Sequence, residues 1–488
     1  MPEKRALFAV LTCEACRTHG TNPKHMPKIE GPSLLQKRRK KIYFFVGCLA
    51  VSLLITWLIN EPGFSDSQTY VLFLSFFSIL LWLTEAIPPF AVAFFIMAFL
   101  VFALGNPNFN SAPEKIDQYV NTFSSSIIWL LLGGFFLARA MTKTKFDQQI
   151  LRATLKLSGT KAKSVLAAFM LTAMVISMLM SNTAAAAMLV AAMMPLLANT
   201  GKSRISKALL MGISIATATG GMATIIGTPP NAFAAAILEK EGISIDFLGW
   251  MLYGLPIAIL LTFAGWLVLV RRYLVKAEPV SIDFLESQED SKLGVSSLER
   301  TLVLVVLIIT LLLWLTSSLH NITSSAVSAV PIVLFTLTGI ITADDVKSMP
   351  WDVLILIAGG MSLGVALEST GILEHYAQLI KSYNVNQWVL LFLFCFLVMV
   401  LSNVMSNVAA CVIILPLGLS LLPDLQKEMA ISVALSSSAA ILLPVSTPPN
   451  AIVYGTGYCD VKDFQLGGLV IGVLGPLLAI LWTVILSR

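Results

Sequence analysis

A short polar pattern occurs twice, once in each half of a strongly apolar chain. The first copy runs from Ser177 through Ser181-Asn182-Thr183, and the second from Ser402 through Ser406-Asn407-Val408. Each is followed some forty residues later by Thr-Pro-Pro-Asn, at Thr228–Asn231 and Thr447–Asn450, and preceded by a glycine pair, Gly133-Gly134 and Gly359-Gly360. Three landmarks in one order, repeated about 220 residues apart, mark an internal duplication. Polar, helix-breaking motifs duplicated inside apolar sequence point to a transporter whose binding site lies where two repeats meet.

Of the 488 residues, 57% are hydrophobic and 12% charged, and the mean hydropathy is +0.84. A chain this apolar is expected to be an all-α polytopic membrane protein. The net charge of +5 does not imply nucleic acid, because the cations lie between apolar runs. The six cysteines are scattered and give no disulfide framework. Apolar runs predict spans at 42–59, 69–86, 88–104, 124–141, 208–237, 246–270, 301–319, 325–342, 351–368, 429–455 and 466–486. The stretches 164–197 and 388–422 are interrupted at their centres by the Ser-Asn motifs. Lys143, Lys145, Arg152, Lys156, Lys161 and Lys163 precede the first of them, and Lys202, Arg204 and Lys207 follow it. Positive charge is retained in the cytoplasm, so a stretch flanked by two basic clusters reads as re-entrant, not crossing.

Eleven crossings and two re-entrant hairpins follow, with the N-terminus cytoplasmic and the C-terminus outside. Residues 1–41 read as a cytoplasmic tail, 42–270 as the first half, 271–300 as a cytoplasmic linker and 301–488 as the second half. An odd number of spans per repeat inverts the second relative to the first. The hairpin at 164–197 then enters from the cytoplasm and that at 388–422 from outside, so their tips can meet near the midplane. Cys13, Cys16, His19 and His25 have metal-like spacing, but a short polar tail without a core reads better as an extension.

A re-entrant tip must be buried in protein or line a wet cavity, because lipid cannot satisfy its backbone. It presents free amide N–H groups at the start of its second limb, where the helix dipole favours an anion. The proline pairs stop a helix and free the carbonyls upstream. With serine and asparagine oxygens these make a hard, oxygen-rich cage for a small cation. Neither hairpin nor either Thr-Pro-Pro-Asn segment contains Lys or Arg. A dianion there needs co-bound cations, since an uncompensated buried charge is very costly. Moving a dianion inward against 100 mV costs about 4.6 kcal/mol, at roughly 2.3 per charge. Two Na+ ions cancel that cost and a third drives the cycle.

These motifs resemble those of the divalent anion–sodium symporters, a family of carboxylate and sulfate carriers. Supporting stretches are Trp82-Leu83-Thr84-Glu85, Leu132-Gly133-Gly134-Phe135 and Glu368-Ser369-Thr370-Gly371, and the resemblance covers about 42 to 486. It implies a homodimer in the lipid bilayer of the cell (inner or plasma) membrane, with a fixed scaffold and a mobile domain moving as an elevator. By motif, one Na+ site would use Ser177, Ser181, Asn182 and the backbone at Gly227. The other would use Ser402, Asn407 and the backbones at Met405 and Ser446. The anion would meet Ser181, Asn182, Thr183, Ser406, Asn407, Thr447 and Pro448, with Val408 beside it. Val408 stands where many relatives carry Thr, and Ala191 where a proline is expected, with Pro195 further on.

The expected function is secondary transport of a C4-dicarboxylate with Na+ as the coupling ion and no organic cofactor. Tricarboxylate or sulfate symport, Na+-independent exchange and an anion channel are the alternatives. No catalytic constellation of the Ser/His/Asp, HExxH or paired-carboxylate kind is present in the spans, so an enzyme is not expected.

Overall fold

The computed structural model describes residues 34–110, 113–274, 296–382 and 385–487. The tail cysteines and histidines, and most of the linker, lie outside these residues. The described residues are helical and contain no strand. In the first half, the helices of eight or more residues are α1 Leu34–Ile59, α2 Asp66–Thr84, α3 Pro89–Leu104, α4 Ser126–Lys143, α5 Phe146–Ser158, α6 Ala162–Leu179, α7 Asn182–Thr200, α8 Arg204–Gly221, α9 Pro229–Lys240 and α10 Phe247–Tyr273. The second half contributes α11 Ser297–Leu315, α12 Ala329–Leu337, α13 Trp351–Ser369, α14 Ile372–Ser382, α15 Gln387–Ser402, α16 Asn407–Leu421, α17 Gln426–Ser438, α18 Pro448–Gly455 and α19 Val461–Ser487.

Local chemistry sets the boundaries. Ser65 and Gln68 form a capping box at the start of α2, satisfying two amides that would otherwise lack acceptors. That helix ends at Glu85 in a left-handed conformation with φ of 48°, and Pro88-Pro89 then starts α3. Asp246 caps α10 by accepting from the Gly249 amide at 2.7 Å. Arg271 and Arg272 close the same helix, where cations complement its dipole.

Among the described residues, eight helices are long and apolar enough to cross a membrane. Eleven crossings were expected, and the difference has local causes. The third expected span is a helix of 16 residues, and the eighth is interrupted, leaving α12 with 9 residues. The spans at 208–237 and 429–455 are each broken in two, as α8 with α9 and α17 with α18. The first limb of a hairpin, α6, meets the length criterion by itself. The chain turns by 112° between α16 and α17.

Both glycine pairs are seams. A methyl group at Gly133 would lie 2.5 Å from the Ser328 β-carbon, and one at Gly359 the same distance from that of Ala93. Real β-carbons do not approach so closely, so α4 and α13 pack through bare backbone.

Polar ties at the helix ends fall into two sets. One set joins Lys207 to Asp460 and Asp463, Tyr273 to Asp463, and Arg139 with Lys143 to Asp345. The other joins Ser126 to Glu239, Ser317 to Asp246, Gln426 to Glu241 and His375 to Glu61. Asp345 is buried between two cations and a capping threonine, which hold its carboxyl well below the usual range despite desolvation. Lys207, between two carboxylates, titrates above the ordinary lysine range.

Candidate substrate and cation site

Each Ser-Asn motif is a tight turn between two helices. Ser181 caps α7 by accepting from the Ala184 amide at 3.3 Å, and Ser406 caps α16 by accepting from the Ala409 amide at 3.2 Å. Asn182 and Asn407 are therefore first residues of helices, where backbone amides have no intrahelical acceptor. The hairpin at 164–197 is α6 with α7, and that at 388–422 is α15 with α16. Each second limb packs against the other half: α7 against α18 and α16 against α9. Helix α7 continues through Pro195, and α16 through Pro416.

In the first half, one atom of the Asn182 carboxamide lies 2.7 Å from Ser177 Oγ, 3.1 Å from the Thr217 carbonyl and 3.2 Å from the Gly227 carbonyl. Ser177 Oγ is also 2.7 Å from the Thr217 carbonyl. With the amide nitrogen at that position, Asn182 donates to all three oxygens. With the amide oxygen there, four neutral oxygens converge, which is the donor set that suits a small hard cation. The surrounding acceptors favour the nitrogen there in the absence of an ion, and a cation would favour the oxygen. Ser177 and Thr217 are fully buried.

The second half has the same residue types in a different state. Ser402 Oγ and Asn407 Oδ1 are buried without a hydrogen-bond partner, and so are Ser436 Oγ and Ser438 Oγ on α17. Ser446 donates to the Leu443 carbonyl at 2.8 Å. Two buried oxygens with no donor fit a cation, because a positive ion satisfies acceptors that no N–H or O–H reaches.

The Thr-Pro-Pro-Asn segments share one internal logic. Asn231 donates to the carbonyls of Gly221 and Thr224 at 2.9 and 2.8 Å. Asn450 donates to those of Ile441 and Leu443 at 3.0 and 2.8 Å. Each asparagine thus pins the unwound stretch ahead of its own helix. Thr447 caps α18 by accepting from the Asn450 amide at 3.3 Å, whereas Thr228 makes no such bond. Each unwound stretch is also tied to its hairpin. Thr224 donates to the Met178 carbonyl at 2.6 Å, and Asn403 accepts from the Leu442 amide at 3.0 Å.

Of the residues expected at the site, Ser177, Asn182 and Gly227 come together. Ser181, Thr183 and Pro448 are exposed, Ser406 is half-buried, and Val408, Met405, Ser446 and Thr447 are buried. No hydrogen bond joins Ser402 or the Asn407 oxygen to Met405 or Ser446. Thr217, Thr224 and Asn403 were not assigned from sequence. Thr217 acts through a backbone carbonyl, which any residue type supplies, but its position in the last turns before Gly220-Gly221 was a usable signal.

The sequence profile of the citrate transporter family matches residues 79–432. The chain belongs to that family. This agrees with the likeness to divalent anion–sodium symporters carried by the motifs, and the protein is a multi-pass membrane transporter, not an enzyme. It is 29% identical over 467 residues to a sodium-dependent dicarboxylate transporter of Staphylococcus saprophyticus, covering 88% of each chain. It is 29% identical over 492 residues to the protein of that name from Staphylococcus aureus, covering 92% of this chain and 93% of that one. In fold, the transporter resembles the Neisseria gonorrhoeae antimetabolite efflux pump MtrF, with a TM-score of 0.52 at 12% identity, over 84% of this chain and 96% of that one.

Proposed function

We propose that this transporter couples Na+ to uptake of a small divalent anion, a C4-dicarboxylate. The observation that carries the reading is the cluster of neutral oxygens around the Asn182 carboxamide, set in hairpins that contain no Lys or Arg. One Na+ would be held by Ser177, Asn182 and the carbonyls of Thr217 and Gly227, and a second by Ser402, Asn407 and nearby backbone. These ions supply positive charge that the side chains do not. The free amides at the starts of α7 and α16, with Ser181, Thr183, Ser406 and Thr447, would receive the carboxylates. The names of the staphylococcal relatives support both the coupling ion and the substrate class.

The grouping of polar ties into two sets supports the inverted arrangement. Asp460, Asp463, Lys207 and Tyr273 belong to segments placed in the cytoplasm by charge, and Glu239, Glu241, Asp246 and Gln426 to segments placed outside. Inverted halves, each packing the second limb of its hairpin on the other half, suit alternating access. A dimeric elevator, with α6–α10 and α15–α19 as the moving part, is the corresponding mechanism.

The test is uptake of labelled succinate, citrate and sulfate into proteoliposomes with and without an inward Na+ gradient. Concentrative, Na+-dependent succinate uptake is expected. Preference for citrate or sulfate would reassign the substrate. Uptake that requires internal anion and ignores Na+ would establish exchange, and non-saturating current a channel.

A further inference from the structure

A cavity of about 1110 Å3 runs beside α18. Its inner end is Pro444 and Val445, immediately before Ser446 and Thr447 of the second unwound stretch. Its mouth carries Lys202, Lys207, Arg272 and Lys462 together with Asp460 and Asp463. Eight residues of α18 span about 12 Å at ~1.5 Å per residue, so the cavity leads from the basic mouth toward the middle of the membrane region. Neither hairpin tip lines it.

The four cations are not equivalent. Lys207 lies 2.8 Å from both Asp460 and Asp463, and Asp463 also accepts from the Tyr273 hydroxyl at 2.7 Å. Lys207 is therefore a brace between the halves. Lys202, Arg272 and Lys462 have no carboxylate within ion-pair distance among the described residues. Arg272 donates from its Nε to the Tyr273 hydroxyl at 3.2 Å and lies over the same ring. Four cations against two carboxylates leave the cavity a formal charge of +2. A concave, low-dielectric wall of one sign concentrates ions of the other, and a dianion feels that field twice over.

We propose that this cavity is a cytoplasmic vestibule that loosely binds a small dianion ahead of the central site, with Lys202, Arg272 and Lys462 as the attracting charges. The proposal rests on the reading of the central site given above and adds residues that the Ser-Asn motifs do not contain. Capture in the vestibule is electrostatic, so it acts on apparent affinity from one face and weakens with salt.

The test uses the full chain in inside-out and right-side-out membrane vesicles, comparing wild type with K202Q/R272Q/K462Q and with the charge-retaining K202R/R272K/K462R. At about 10 mM ionic strength, where the screening length is ~30 Å, the neutralised variant is expected to raise the cytoplasmic-face KM for succinate about tenfold. The outer-face KM and the charge-retaining variant should match wild type. At about 0.1 M, where screening falls to ~10 Å, most of the difference should disappear. An unchanged cytoplasmic KM at low salt, or an equal rise on both faces, overturns the vestibule. Equilibrium binding of labelled sulfate to purified protein at low salt separates this from failure of the central-site reading. Binding kept by N182A and lost by the triple variant supports the vestibule even if no dianion is carried, whereas binding kept by the triple variant overturns it.

Discussion

The two Ser-Asn turns carry matching residues, yet their surroundings differ. Asn182 is clasped by Ser177, Thr217 and Gly227, whereas Ser402 Oγ and Asn407 Oδ1 stand buried and unpaired. The unwound stretches differ in the same sense. The first is flanked by Gly220-Gly221 and reaches Gly227, while Ala439-Ala440 and Ser446 occupy the corresponding places. A methyl group at Gly227 would lie 2.6 Å from the Gly221 carbonyl, so the close-packed cage of the first half needs its glycines. A cross-half tie is also one-sided. Ser214 on α8 donates to Asn450 Oδ1, but Val433 stands at its counterpart on α17 and Asn231 Oδ1 has no partner. The two turns share their residue types, and the support around them differs. The first half holds its oxygens with its own structure. The second leaves acceptors that a bound cation would satisfy.

The largest expected effect is on transport. Asn182→Ala and Asn407→Ala should each reduce uptake by about 100-fold or more, about 2.7 kcal/mol at 1.36 per tenfold, with the folded protein still eluting as one species in detergent. Normal uptake in either variant would break the pairing of the turns.

A second asymmetry separates α5 from α14. Asp147 is 2% exposed, and among the described residues its carboxylate accepts from the Gln148 amide at 2.8 Å. Ile372 sits at the same offset as the turns. Burial raises the Asp147 carboxyl to about 6. The folded state thus holds this proton more tightly than the unfolded state. Stability falls as pH rises from about 4 to about 6, and the full penalty persists above that. Asp147→Asn should stabilise the protein at pH 7.5, by up to about 3 kcal/mol at 1.36 per pKa unit, and have little effect at pH 4. Thermal unfolding at both pH values is the check, and equal shifts would remove the burial account.

The unmatched asparagine offers a smaller, two-way comparison. Ser214→Val should destabilise by about 1–3 kcal/mol by orphaning Asn450 Oδ1, while Val433→Ser should stabilise by about 1 kcal/mol by giving Asn231 a donor. Melting of the two variants side by side reads both signs, and a shift of like sign in both would contradict the symmetry. The smallest effect expected is for Val408→Thr, which restores the hydroxyl that Thr183 supplies in the first half. It should alter the ratio of succinate to citrate uptake severalfold without loss of Na+ dependence. An unchanged ratio would move Val408 away from the anion.

Much of this was legible in sequence because polar residues and proline pairs inside apolar runs have few other uses. The turns at Ser181 and Ser406 and the breaks before Pro229 and Pro448 fell where the motifs placed them. The end of α3 at Leu104 was legible as well, because the apolar run stops at Gly105-Asn106-Pro107, whereas the interruption that leaves α12 with 9 residues was not. The brace of Lys207 with Asp463 depended on α19 beginning at Val461, five residues ahead of the apolar run. The Thr217 carbonyl and the Ser214–Asn450 tie were hidden for a different reason. One is backbone, and the other joins residues in opposite halves that no local pattern connects.

The most direct measurement is equilibrium binding of Na+ and succinate to the purified transporter, each titrated at several fixed concentrations of the other. If metal ions balance the anion in a site without basic side chains, each ligand must raise the affinity of the other by the same factor, and Asn182→Ala and Asn407→Ala must abolish that coupling. Succinate that binds the wild-type protein equally well with choline in place of Na+ would contradict the account.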